Sequence, residues 1–77
     1  EFEAARDLFA KEVKRAPYYH EFHFWLAIAH WRLGDGSRAH EELKMALDTS
    51  TTGDASSRYS AKLSQLKSGV PGRKRLY

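Results

Sequence analysis

Apolar side chains recur along this chain in four bursts, each at the three-and-four spacing of one helix face. A proline, a glycine or a run of short polar residues closes each burst. In the first, Phe2, Ala5, Leu8, Phe9 and Val13 share a stripe with Glu12, and Arg6, Lys11, Lys14 and Arg15 lie mostly off it, which predicts a helix over about Phe2 to Arg15. Pro17 stops it, because the residue before a proline is pushed out of the helical region. After Tyr18-Tyr19 a second helix is predicted over about His20 to Leu33. Its apolar residues (Phe22, Phe24, Trp25, Leu26, Ala27, Ile28, Ala29, Trp31, Leu33) cover so much of its circumference that it must be contacted on more than one side. Gly34 suits the left-handed position just past a helix end. Ser37 is the expected N-cap of a third helix reaching Leu47 or Asp48, with Ala39, Leu43, Ala46 and Leu47 as its stripe. The polar run Thr49 to Asp54 leads into a fourth and most polar helix, about Ala55 to Lys67, carried by Tyr59, Leu63 and Leu66. Gly69-Val70-Pro71-Gly72 ends regular structure, and residues 71–77 read as a basic flexible tail.

The first and third stripes are copies in register. Ala5, Phe9, Val13 and Pro17 answer Ala39, Leu43, Leu47 and Thr51, each pair 34 residues apart. A fixed period of that length marks stacked helical hairpins. The pattern resembles the tetratricopeptide repeat. His23, Leu26, Ala27 and His30 stand at its first-helix positions, Gly34-Asp35 at its turn, and Ala39, Leu43 and Ala46-Leu47 on its second helix. Departures from the pattern are His23 and His30 where aromatics are usual, Glu12 where a small alanine is usual, and Thr51 in place of the closing proline.

The expected fold class is all-α: antiparallel helical hairpins stacked as a right-handed superhelix with a C-terminal capping helix. Residues 1–70 form the domain. Within it, 1–16 are the second helix of a preceding repeat, 20–50 one full repeat and 54–68 the cap. Phe2, Leu8 and Phe9 are then short of a neighbour, and a chain opening Glu1-Phe2-Glu3 without methionine reads as an excised piece.

The resemblance implies a protein–protein interaction module in which the first helix of a hairpin lines a concave groove for a peptide or protein segment. Carried over, the binding residues are Glu21, Phe24, Ile28, Trp31 and Arg32, approached by Tyr18 and Tyr19. The competing expectation is that Phe24, Ile28 and Trp31 pack on a neighbouring repeat or a second copy, which makes the chain a structural or oligomerisation module. On this expectation the partner is the rest of its own chain or a second copy. The lysine–asparagine–arginine clamp that some such arrays close on a chain terminus is missing, since apolar residues hold its places and Arg32 alone remains.

Composition narrows the chemistry. There is no cysteine, so disulfides and thiolate metal sites are excluded. No apolar run is long enough to insert in a membrane. Thirteen Lys/Arg against ten Asp/Glu leave a net charge of +3, mild for a nucleic-acid binder. Lys67, Arg73, Lys74, Arg75 and Tyr77 form the one basic cluster, read as solvated rather than as a nucleic-acid site. Of the four histidines, His20 and His23 share a face without the further ligands a zinc site needs, so no metal or other cofactor is expected. His23 and His30 are read as packing residues, and His20 and His40 as solvated. No nucleophile–base arrangement or phosphate loop is present, and Asp35 and Ser37 are accounted for by turn and cap, so no enzyme is expected. The compartment is left open, with the cytoplasm as the working expectation.

Overall fold

Each of the four bursts folds as a helix. The computed structural model describes residues 1–68 as α1 (Phe2–Arg15), α2 (His20–Arg32), α3 (Gly36–Thr49) and α4 (Gly53–Ser68), with no strand among them. The chain is all-α. The expected basic tail, 71–77, lies outside the described residues.

Local chemistry sets the helix ends. Ala16, before Pro17, leaves the helical region at φ −138° and ψ 73°. The C-terminus of α2 is a complete Schellman closure: the Asp35 N–H donates to the His30 carbonyl at 2.9 Å, and the Gly34 N–H donates to that of Trp31 at 3.0 Å. That closure needs a left-handed residue, and Gly34 supplies it at φ +86°. Asp35, not Ser37, then caps α3, its Oδ1 accepting from the Arg38 N–H at 3.2 Å. The closure leaves Asp35 one residue before the helix, so the cap falls two residues earlier than expected. At α4 the Thr52 hydroxyl accepts from the Ala55 N–H at 3.1 Å, and the helix starts at Gly53 instead of Ala55.

The helices pack in chain order, α1 on α2, α2 on α3 and α3 on α4. Alanines at the crossings allow close approach: Ala27, Ala39 and Ala46 are essentially sealed. Around them the core gathers Phe24, Leu43, Ala55, Tyr59 and Leu66, with Ile28, Trp31, Leu47 and Leu63 half-buried at its margin. The result is a slab of 39 × 29 × 16 Å.

The echo survives in three dimensions with one break. Helix α3 begins and ends 34 residues after α1. Helix α4 begins only 33 after α2, because Ser50–Thr52 is one residue shorter than the connector Ala16–Tyr19. Equivalent positions are also covered unequally. Ala39 and Leu43 are fully buried between α2 and α4, whereas Ala5 and Phe9 are half-buried, and α1 has no fully buried residue. Phe2 and Leu8 are 47% and 53% exposed.

Candidate functional site

Helix α2 turns about 100° per residue, so consecutive side chains report on its surroundings. Phe22 meets α1, its ring 6.4 Å from that of Phe9. His23 meets α3 through Glu42. Phe24 meets α4, stacked on Tyr59 at 5.0 Å. Trp25 meets no other helix this way. It leans edge-on against Phe24 at 5.0 Å and stays 49% exposed. The fourth side of α2 is therefore open, and the residues sharing it with Trp25 at i−4, i+3 and i+7 are Glu21, Ile28 and Arg32.

The residues expected to bind thus divide. Glu21 and Arg32 are exposed on the open side, and Ile28 is half-buried at its edge. Phe24 is buried beneath α4, and Trp31 is half-buried at the α2–α4 seam. The reason is α4, whose Tyr59 stacks on Phe24 and whose Lys62 lies over the Trp31 ring. Trp25 is the residue the stripe reading passed over. Its spacing from Glu21 and Arg32, both of which must reach water, is the signal that marks it.

Cations frame the open side. On its α1 edge the Arg32 guanidinium lies 5.6 Å from the centre of the Phe2 ring. On its α4 edge Lys62 Nζ lies 5.5 Å from the Trp31 ring, and Arg58, one turn earlier, lies 5.7 Å from the Tyr59 ring. The indole N–H of Trp31 is buried with no hydrogen-bond partner among the described residues.

Tyr18 and Tyr19 belong to a different surface. With Arg15, Ala16 and Phe22 they line a cleft of about 380 Å³ at the α1–α2 turn. Tyr19 packs on Phe22 at 4.7 Å, Tyr18 is 75% exposed, and Arg15 at the rim is paired with Glu12.

Polar side chains pin the helices around the site. His23, 3% exposed, places Nδ1 2.8 Å from Glu42 Oε1 and Nε2 2.6 Å from the Pro17 carbonyl, tying α3 to the α1–α2 turn. His20 is not simply solvated: it is half-buried, with Nδ1 2.7 Å from the Tyr59 hydroxyl. Burial, then the nearby Glu21, raises the Tyr59 phenol above its usual range. Burial lowers His30, against an opposing pull from Asp35 and Glu42. His40 is half-buried. Among the described residues no three His, Asp or Glu side chains converge as metal ligands, and no helix is long and apolar enough to cross a membrane.

Three comparisons complete the picture: no family model, no curated protein and no solved structure matches this chain.

Proposed function

We propose that this chain is a segment of a tetratricopeptide-like helical array and acts as a binding module, not an enzyme, holding a protein or peptide segment along the open side of α2. One observation carries the reading: α2 is covered on three sides, and on the fourth the half-exposed Trp25 is centred between Glu21, Ile28 and Arg32. A large aromatic anchor with a charged rim is the composition of a binding hot spot. The array is supported by α1 and α3 starting and ending 34 residues apart. The anchor moves from the expected Phe24 and Trp31 to Trp25, because α4 occupies the side those two face.

The test is selection of a random-peptide library on the intact chain, followed by titration of selected peptides against Trp25→Ala. Selected peptides should perturb the Trp25 indole signal in NMR spectra and bind the variant at least about tenfold more weakly, as for a hot-spot aromatic. Equal binding to wild type and variant would sink the proposal.

A second reading has its own observation. Phe2 and Leu8 are half-exposed on α1, the helix with no fully buried residue, which favours docking of another helix there, from the same array or a second copy. Under it, sedimentation shows self-association that Leu8→Glu abolishes. A monomer at all concentrations excludes the second copy as the occupant of the α1 face.

A further inference from the structure

The cations framing the open side are unlike most others on this protein whose side chains take part in a defined contact. Arg6 is paired with Asp7 at 3.0 Å, Arg38 with Asp35 at 3.6 Å, and Arg15 with Glu12. Arg32, Arg58 and Lys62 have no carboxylate partner among the described residues. Each is instead held over an aromatic ring, at 5.6, 5.7 and 5.5 Å from its centre. A ring face fixes the position of a cation without neutralising it, since its quadrupole carries no net charge. Arg32 reaches the Phe2 ring on the α1 side of α2, and Arg58 and Lys62 lie along α4 over rings at its seam with α2, so the cations stand on both borders of the helix side that carries the half-exposed Trp25. The α2 stripe offers a single acid, Glu21.

We infer that the open side takes an acidic peptide segment carrying an apolar anchor, with Trp25 and Ile28 receiving the anchor and Arg32, Arg58 and Lys62 its carboxylates. The inference rests on the open-side reading of α2 and adds the chemistry of the occupant. Positioned, unneutralised cations around an aromatic centre favour carboxylates twice over. They steer the encounter, and they disfavour basic segments by like-charge contact. The carboxylates come from within the segment, because the cations lie along both edges of the surface rather than converging on one point.

Selection of the same library reads this out directly. The enriched pool should be acidic and carry leucine or an aromatic. A selected peptide should weaken about tenfold on Arg58→Glu/Lys62→Glu, and its lysine-substituted counterpart should recover on that variant. Lys62 is half-buried, so the salt dependence of wild-type binding is a second measure that needs no variant: affinity should fall steeply as salt rises. A pool that is neutral or basic yet still lost on Trp25→Ala overturns the acidic class and leaves the open side standing. A pool indifferent to Trp25→Ala, or no enrichment, overturns both.

Discussion

Phe24 and Trp25 are neighbours of similar bulk with opposite assignments, so replacing each by alanine is the sharpest test of how α4 sits on α2. Phe24 is 9% exposed and stacked on the sealed Tyr59 at 5.0 Å. Its truncation opens a cavity between α2 and α4 and should cost about 3–5 kcal/mol. A domain of this length holds in total only about 4–12 kcal/mol at about 0.05–0.15 kcal/mol per residue, so Phe24→Ala should be marginal or unfolded. Trp25 is 49% exposed and makes one edge-on ring contact. Half of a buried aromatic's cost is about 1.5–2.5 kcal/mol, which the fold tolerates. At about 4–8 °C per kcal/mol, Phe24→Ala should lower the melting temperature by more than about 12 °C and by at least about twice the Trp25→Ala shift. The assay is urea and thermal unfolding followed by far-UV circular dichroism, with the urea slope checked for constancy so that midpoints report stability. If Trp25→Ala costs as much as Phe24→Ala, α4 does not seal Phe24, and the open side is assigned to the wrong residues.

Three further outcomes follow from the same geometry. Leu43→Ala should cost about 3–5 kcal/mol in urea unfolding and Phe9→Ala clearly less despite the larger side chain, because Leu43 is sealed between α2 and α4 and the equivalent Phe9 is half-buried. Gly34→Ala should cost about 1–2 kcal/mol through its left-handed φ of +86° alone, since an added Cβ meets no atom within 4 Å; a neutral result would show that the turn can relax. His30 is lowered by burial, so the unfolded chain binds its proton more readily. Its contribution to stability is present above the ordinary value of 6.5 and is lost as pH falls from there through the lowered folded value. The stability difference between wild type and His30→Gln, from urea midpoints, should therefore move against wild type on acidification, and a pH-independent difference would refute this.

Local punctuation made the helices legible. Pro17 and Gly34 act through their own backbone chemistry, so α1 and α2 end within a residue of where the sequence places them. The cap of α3 was misplaced because the Schellman closure, a property of six residues together, decides that Asp35 and not Ser37 stands at the cap. His20 was misjudged for a similar reason: its partner, Tyr59, is 39 residues away, and no local pattern announces it.

The site was half legible, and the missing half is geometric. A helical stripe says that residues face the same way, not which way a neighbour lies. Phe24, Ile28 and Trp31 form a sound stripe, and so do Glu21, Trp25, Ile28 and Arg32. The two overlap at Ile28, and only the position of α4 separates them. One constraint separates them in the sequence: the apolar stripe of α4 needs an apolar surface, while Glu21 and Arg32 require water, so an α4 that touches α2 does so on the Phe24 side. Folding asks for apolar residues on α2 toward α1, α3 and α4, and Phe22, Leu26, Ala27 and Phe24 among others meet that demand. It asks for none at Trp25. An exposed apolar side chain is common on any protein and argues little by itself. The functional case lies in its company: Trp25 stands on the unpacked side of the most enclosed helix, and three cations on the borders of that side lie over aromatic rings with no carboxylate partner among the described residues.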